Sequence, residues 1–273
     1  KGIVTLDTWI RDNFSNMKDT FLPSSYGSAG YQYILLDNGD LIAYVASKAG
    51  SIAAVTTILT DVFEIIAVNQ AHNEDIIVTT NSDEVYHVAP GVFAPVAPYA
   101  TKIQGLLASD VLCAAVGDLN DICVVIKNSE PNVVYRIKTK NGLGRHNNKH
   151  QPLNSVETCS HPNLKWVTQL MSADETFVDA VAQEFHLVLI TTKRIYTFKP
   201  TSGADKEDIT SGDMSRAWYF DLPSGASSVK CLAATAYTAA IDIDGTPYLL
   251  SSSGYKGLDG YNEFGQACTA DAY

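Results

Sequence analysis

The pattern of hydrophobic and polar positions repeats five times along the chain. Each repeat has an alternating apolar run, a tight polar turn and a second short apolar run that carries a tyrosine. The five tyrosines are Tyr44, Tyr86, Tyr135, Tyr196 and Tyr248, and successive ones lie 42 to 61 residues apart. Self-similarity at such a period is typical of an array of small, similar sheets. Several such sheets must pack together, because one alone cannot bury its own faces.

The hairpins are marked most clearly by their turns. Asn38-Gly39 and Asp244-Gly245 are dipeptides typical of tight hairpins, in which both turn residues adopt positive φ. Another apolar run precedes most hairpins, so each unit reads strand, short connection, strand, turn, strand. These preceding runs cover residues 62–68, 103–108, 177–182 and 229–234.

These units predict an all-β fold, namely a single β-propeller of five blades, with six blades as the alternative. The propeller is expected to span residues 29–273. Residues 1–28 repeat least, and they are expected to supply either a ring-closing strand at 3–6 or a short helix at 7–17.

The composition of the chain limits the classes of fold and binding partner that are expected. The chain has 273 residues, of which 46% are hydrophobic and 18% charged, enough to build a large core. Its net charge of −11 disfavours nucleic acid and anionic membrane surfaces as partners. No apolar run is long enough to span a bilayer. Because the chain begins at Lys1, we expect it to be a piece of a longer polypeptide or a processed product.

The five cysteines carry little chemistry. Their odd number and the lack of a CxxC spacing argue against a disulfide framework or a zinc ribbon. Cys123 and Cys231 lie in apolar runs, where a thiol behaves as a small hydrophobic side chain. This usage fits a reducing compartment or a particle assembled inside a cell.

Residues 177–190, continuing through 194–198, resemble the repeat of the regulator-of-chromosome-condensation family. Residues 260–268 match that family's G-x-N-x-x-G-Q-L-G turn through the glutamine and then depart from it. The resemblance covers most of residues 29–268 as a pattern. The family's ring usually has seven blades, whereas five to six fit here. The resemblance implies a propeller that binds a small GTPase or another regulatory protein, and we assign no residue to nucleotide exchange.

The divergent repeats and the acidic composition rich in Ala, Ser, Thr and Tyr give a second resemblance. In both respects the chain is similar to degenerate propellers in the tail and baseplate-fibre proteins of giant bacteriophages. That resemblance implies a virion component of the tail, assembled in the host cytoplasm.

Metal and catalytic motifs are weak. His146 and His150, with Cys159 and His161 nearby, have a helical metal-ligand spacing, but the Asn-rich surroundings predict a polar loop instead. Asp242 begins a segment like a calcium loop, yet its twelfth position is Ser253, so a hairpin turn is the better interpretation. There is no nucleophile elbow and no phosphate-binding loop. We therefore predict no catalytic residue, no metal and no cofactor.

Aromatic residues outside the repeats are the candidate binding residues. Residues 140–165 and 199–228 have few apolar positions and are predicted to be loops on one rim, where binding usually occurs. The candidates lie in or beside predicted loops: Trp166, Trp218, Tyr219, Tyr255 and Tyr261. Exposed aromatic rings stack on sugars or anchor protein partners. The alternative is that these rings cap blade edges.

The favoured function is non-enzymatic. The sequence favours a rigid propeller within a larger structural protein, a phage tail or baseplate fibre, that binds other structural proteins or a host-surface ligand through its rim loops. One alternative is a cytoplasmic protein-interaction module of the regulator-of-chromosome-condensation type. Another is a glycan-acting enzyme, because carboxylate pairs cannot be recognised from one sequence.

Overall fold

The structure of the chain is a computed structural model. It describes residues 12–21, 31–46, 52–69, 75–89, 98–117, 123–139, 153–158, 167–168, 170–183, 186–198, 217–234 and 238–251. The chain separates into two compact units, one formed by residues 1–109 and 138–156, the other by residues 110–137 and 157–273.

The described residues form nineteen strands and a 3-10 turn at Ala108–Asp110, and residues 12–13, 167–168 and 170 are helical. In chain order the strands are β1 (Met17–Phe21), β2 (Tyr31–Leu36), β3 (Leu41–Ala46), β4 (Ile52–Leu59), β5 (Val62–Val68), β6 (Ile76–Thr80), β7 (Glu84–Ala89), β8 (Tyr99–Leu107), β9 (Val111–Ala115), β10 (Val124–Lys127), β11 (Glu130–Thr139), β12 (Leu153–Thr158), β13 (Phe177–Gln183), β14 (His186–Thr191), β15 (Arg194–Phe198), β16 (Ala217–Asp221), β17 (Val229–Ala234), β18 (Thr238–Ile243) and β19 (Thr246–Ser251).

The first unit holds two up-and-down antiparallel sheets of four strands. Strands β1 to β4 form the first sheet and β5 to β8 the second, and β12 joins β8 in parallel, with Ser155 opposite Gln104. The two sheets pack face to face, with Tyr33 and Leu35 of β2 against Ile76 and Val78 of β6. A second cluster, Ile34, Leu36, Ile42 and Tyr44 with Phe14, covers the other face of the first sheet.

The second unit repeats the same up-and-down topology. Strands β9 to β11 form the third sheet, β13 to β16 the fourth, and β17 to β19 the fifth. The third sheet packs on the fourth through residues such as Ile126 and Leu187, and the fourth on the fifth through Ile190 and Ile241. Because sheets cover both faces of a strand such as β14, all six of its residues are buried. Its sequence therefore reads as a continuous apolar run.

The fold class is all-β, of the β-propeller type, and five blade-like sheets occur within the described residues. All five repeating tyrosines lie on the third strand of a sheet, as the sequence pattern predicts.

A recurring hydrogen bond ties each sheet to the chain that leads into it. We name the residue immediately before the first strand of a sheet its lead residue. In every sheet the lead carbonyl accepts the N–H of the first residue of the turn between the second and third strands, at 2.7 to 2.9 Å. The five lead–turn bonds join Asn16 to Asp37, Asp61 to Asn81, Asp110 to Asn128, Thr176 to Thr192, and Ser228 to Asp244. In all five sheets, therefore, the turn between the second and third strands is held at the same position relative to the start of the sheet.

Side chains reinforce three of these lead–turn bonds. The Asp110 carboxylate accepts the N–H and the hydroxyl of Ser129, both at 2.9 Å, and Asp61 does the same for Ser82 of its own turn. In the fifth sheet the roles are exchanged, because Asp244 lies in the turn and accepts hydrogen bonds from the lead residue Ser228 and from Ser227 before it. Hydrogen bonds from these serines hold the pKa of Asp61, Asp110 and Asp244 below the ordinary value for aspartate.

A glycine is required where the first turn meets the second sheet. Gly39 has φ of +86° and its carbonyl accepts the N–H of Val62 at 2.8 Å. A Cβ on Gly39 would lie 3.2 Å from backbone atoms of Asp61 and Val62. Positive φ and close backbone approach together explain why glycine stands at position 39. The prediction that both turn residues adopt positive φ is confirmed at Asp244-Gly245 but is wrong at Asn38-Gly39, where only the glycine does so.

A buried polar network holds β12 in the first unit. Asp75 and His87 are fully buried, and the His87 Nε2 lies 2.7 Å from the Asp75 carboxylate. The Leu153 N–H donates to the His87 Nδ1 at 3.0 Å, so that nitrogen carries no proton and the imidazole is neutral. Asn69 donates to the other Asp75 oxygen at 3.0 Å. One side-chain network therefore satisfies the first backbone donor of β12.

Two predictions from sequence are wrong in detail. Residues 103–107 belong to β8, the fourth strand of the second sheet, Ala108 begins the 3-10 turn, and the strand that opens the third sheet is β9. The predicted loops at 140–165 and 199–228 contain the strands β12 and β16, respectively. The alternatives for residues 3–6 and 7–17 fall largely outside the described residues, and β1 is the strand that begins the first sheet.

We predict that His87→Ala lowers the free energy of unfolding by about 3 kcal/mol, because Asp75 stays buried without its ring partner. Chemical denaturation monitored by circular dichroism measures the change. The matched control is Lys102→Ala on β8 of the same sheet, whose exposed ion pair with Glu84 should contribute less than about 1 kcal/mol. Equal losses in both variants would contradict a stabilising role for the network.

We also predict that thermal stability falls as the pH is lowered below about 4. A carboxyl with a depressed folded pKa stabilises the fold above its ordinary pKa, and this contribution is lost as the pH falls through the folded pKa. Asp110→Asn should make the decline shallower, because the amide oxygen still accepts from Ser129 without titrating. Differential scanning fluorimetry from pH 6 to pH 3 measures this, with Asp19→Asn on β1 as the control outside the lead–turn pairs. Identical profiles for both variants would disprove the assignment.

Candidate functional site

The structure locates two of the five aromatic residues predicted to bind. Trp218 and Tyr219 lie on β16, opposite Thr197 and Tyr196 of β15, rather than in a loop. This placement corrects the prediction, and its physical reason is that residues 217–221 pair along the whole of β15. Trp166, Tyr255 and Tyr261 lie outside the described residues.

Tyr219 packs along the fourth sheet. Its half-buried ring lies 6.2 Å from the ring of Tyr196, and the Arg194 guanidinium lies 5.3 Å from its centroid. Both contacts are made within the sheet. They agree with the alternative interpretation, in which such rings cap a blade edge, and a binding role for Tyr219 stays a prediction.

The segment that begins at Asp242 and resembles a calcium loop is a hairpin turn. Asp242 accepts the N–H of Gly245 at 3.0 Å, and together with Asp244 it builds the hairpin turn between β18 and β19. His146, His150, His161 and Cys159 lie outside the described residues. Within the part of the chain that the structure describes, no group of three or more His, Cys, Asp or Glu side chains is placed to hold a metal ion.

A buried carboxylate on the fourth sheet has all of its partners. The Glu175 carboxylate accepts hydrogen bonds from the Thr191 hydroxyl at 2.6 Å, the Tyr196 hydroxyl at 3.1 Å and the Ser172 N–H at 3.1 Å. Arg194 lies 3.6 Å away and also binds Asp221. Burial raises the pKa of Tyr196 to about 12, so its hydroxyl stays a donor. A carboxylate so fully engaged stabilises the sheet and offers little to a ligand.

A cavity of about 440 Å³ opens between the fourth and fifth sheets of the second unit. The start of β13, the turn after β14 and the segment from β16 into β17 form its walls. Its lining residues are Val178, Asp179, Thr191, Thr192, Leu222, Ala226, Ser227, Ser228, Val229 and Lys230. The volume lies in the range of small-molecule sites. The cavity therefore adjoins the lead–turn bonds of both sheets.

Asp179 is the ionisable group that distinguishes this cavity. Its side chain is half-buried, and its carboxylate accepts the N–H of Ala180 at 2.8 Å and the N–H of Cys231. Burial raises the pKa of Asp179 even though both hydrogen bonds oppose the shift. Among the described residues no Lys, Arg or His lies within ion-pair distance of it. A desolvated carboxylate without a cationic partner is a candidate binding group.

Cys113 lies near this carboxylate but is not reactive. The thiol is buried in the core between the third and fourth sheets, and burial, with the charge of Asp179, raises its pKa. A thiol with a raised pKa is a poor nucleophile. Cys113, Cys123 and Cys231 form no disulfide.

Comparison with known proteins adds a fold-level similarity. No family model matches the chain, and no curated protein matches it. Human WBSCR16 is 12% identical with a TM-score of 0.47, over 82% of this chain and 60% of that structure. Kluyveromyces lactis Hsv2 is 10% identical with a TM-score of 0.46, over 86% and 68%. The WD40 domain of SCAP from fission yeast is 12% identical with a TM-score of 0.37, over 86% and 62%.

The chain thus spans less than two thirds of the WBSCR16 structure. With TM-scores below 0.5 and identities near 10%, these similarities carry nothing about function, and the propeller assignment rests on the strands and lead–turn bonds of the chain itself. No helix among the described residues is long and apolar enough to cross a membrane.

We predict that Asp179→Asn raises the midpoint of thermal unfolding at pH 7. A carboxyl with a raised folded pKa favours the fold below its ordinary pKa, and that advantage is lost as the pH rises through the folded pKa. The amide removes the desolvated charge, so its benefit should appear at pH 7 and vanish near pH 3. The matched control is Asp174→Asn, whose exposed carboxylate pairs with Lys193 at 2.6 Å and should not gain stability. A lower midpoint for Asp179→Asn at pH 7 would contradict the assignment.

Proposed function

We propose that the chain is a non-enzymatic binding domain, a rigid propeller scaffold within a larger structural protein of a virion, in the tail or baseplate fibre. In this role it attaches to another structural protein or to a host-surface ligand. The observation that carries the binding role is the cavity at the junction of the fourth and fifth sheets. Its wall includes the carboxylate of Asp179, which accepts two backbone N–H groups but has no cationic partner among the described residues.

The rigidity that a scaffold needs has a physical basis in the chain. Five lead–turn bonds hold each turn against the chain that precedes its sheet, and buried apolar side chains fill the space between packed sheets. A binding group on such a support loses little conformational entropy when a partner arrives. The segments between the sheets differ greatly in length, and this freedom is typical of loops that acquire binding roles.

The virion setting is supported by composition. The divergent repeats and the acidic composition support the resemblance to tail and baseplate-fibre propellers, and a net charge of −11 suits a particle that must stay soluble until it assembles. The cytoplasmic regulatory module and the glycan-acting enzyme are the alternatives that an experiment must separate from it.

We predict that antibodies against the purified chain label the tails of particles from the source culture, and that the chain binds tail proteins or host envelope fragments in biolayer interferometry. Trp166→Ala and Tyr261→Ala, at two of the aromatic residues predicted to bind, should weaken that binding at least about tenfold. Tyr219→Phe is the matched control, because the ring that packs against Tyr196 is retained.

Three outcomes would overturn the proposal. Labelling confined to the cytoplasm with accelerated nucleotide release from a small GTPase would favour the regulatory module. Release of reducing ends from host glycans would favour the enzyme. Failure to label particles, together with failure to bind any tail protein or envelope fragment, would exclude the virion role.

A further inference from the structure

We propose that the cavity between the fourth and fifth sheets binds the arginine side chain of a partner polypeptide. The inference deepens the proposed function and rests on it, since it names the chemistry by which the domain would hold a protein partner.

The anionic wall of the cavity selects a cation. Asp179 accepts two backbone N–H groups, from Ala180 and Cys231, whereas an ionised carboxylate offers about four lone-pair positions. The remaining positions are available to a donor that enters from the cavity. A partner that brings its own positive charge offsets the desolvation that Asp179 already bears, whereas a phosphate or carboxylate ligand would add repulsion to it.

The apolar wall selects a cation with a hydrocarbon stem. Val178, Leu222, Ala226 and Val229 line the cavity beside Asp179. A long basic side chain lays its methylene groups along such a surface while its charged head reaches the carboxylate. A small cation such as an ammonium or metal ion would leave these apolar walls uncovered.

The choice between arginine and lysine follows from geometry. A guanidinium presents parallel N–H donors that match the two oxygens of a carboxylate, and it is more weakly hydrated than an ammonium. Its additional donors could reach Thr192 and Ser228, which also line the cavity. Arginine therefore suits a half-buried acidic site better than lysine does.

A second carboxylate adds to the negative potential at this end of the fifth sheet. Asp244 accepts hydrogen bonds from Ser227 and Ser228, which line the cavity, and these bonds hold its pKa below the ordinary value. Asp244 therefore keeps its charge over the physiological range. The positive charge of Lys230, an exposed residue that also lines the cavity, opposes this negative potential. An arginine that enters the cavity must displace or avoid it.

The test uses the whole chain and blocked tripeptides of the form acetyl-Gly-X-Gly-amide, where X is arginine, lysine, citrulline or glutamate. Citrulline has the shape of arginine without its charge. Binding is measured by chemical-shift changes in the ¹⁵N-labelled chain, read at the amides of Ala180 and Cys231, the two donors to Asp179. We expect saturable shifts with arginine, at least tenfold weaker binding with lysine, and none with citrulline or glutamate.

Substitutions at Asp179 and at nearby charged residues test whether arginine binds in this cavity. Asp179→Asn should abolish the arginine-dependent shifts, and it is expected to keep the fold because it removes a desolvated charge. Asp174→Asn, an exposed aspartate of the same sheet, should leave them unchanged. Lys230→Met should strengthen arginine binding severalfold, because it removes the competing cation at the rim. Equal binding of arginine and citrulline, or arginine binding that survives Asp179→Asn, would overturn the inference.

The two proposals fail separately. If the chain captures tail proteins or envelope fragments but no arginine tripeptide, the cavity inference is wrong and the binding role stands. If arginine tripeptides bind at Asp179 but no such partner is captured, the virion role is wrong. If partner capture persists in Asp179→Asn with unchanged affinity, the cavity is not the site through which the partner is held.

Discussion

The hydrogen bond between each lead residue and its turn is the constraint on which the fold depends. Tight turns fix the register between the consecutive strands that they join, but they leave the chain that enters each sheet free to take other positions. The lead–turn bond removes that freedom, because it fixes the turn against the chain one residue before the sheet begins. Its recurrence in all five sheets defines the repeating unit better than any sequence motif does.

Burial on both faces is the second requirement, and it explains where polar groups are tolerated. Sheets that stack face to face leave strands such as β6 and β14 with no exposed side, so every polar group there needs a partner. The buried side chains of His87, on β7, and of Glu175, before β13, likewise have partners in hydrogen-bonded networks. Asp179 differs, since its neighbours supply hydrogen bonds but no compensating charge. Because the carboxylate of Asp179 lacks a compensating charge, the cavity that it lines is the candidate binding site.

Much of the fold could be predicted from the sequence because hairpins are local. Alternation, an Asn-Gly or Asp-Gly turn and a following tyrosine lie within about fifteen residues of each other, and the third strands carry Tyr44 to Tyr248 as expected. Prediction was wrong where the outcome depends on distant pairing. Residues 103–107 have the same apolar character as an inner strand, and only pairing with β7 makes them part of the fourth strand of the second sheet. Residues 217–221 similarly become a strand only because β15 offers a complete partner.

The candidate site could not be predicted from the sequence for the same reason, because it depends on residues that are distant along the chain. Asp179 looks like one polar position in an apolar run, and nothing nearby in sequence shows that Cys231 will supply a backbone donor to it. The His87 network joins groups 66 residues apart, and no spacing rule connects them. Aromatic residues attract attention in a sequence because they are rare, yet Tyr219 is engaged within its own sheet.

The exchange of roles in the fifth sheet affects how such a chain can evolve. In the third sheet the aspartate stands on the lead side and the serine in the turn, whereas in the fifth sheet the serines stand on the lead side and the aspartate in the turn. Recombination that moved the fifth turn into the third sheet would set Asp244 against Asp110, and like charges would face each other where a hydrogen bond had been. The turns are therefore not interchangeable parts. A lineage with both arrangements can duplicate whole blades far more easily than it can shuffle pieces between them.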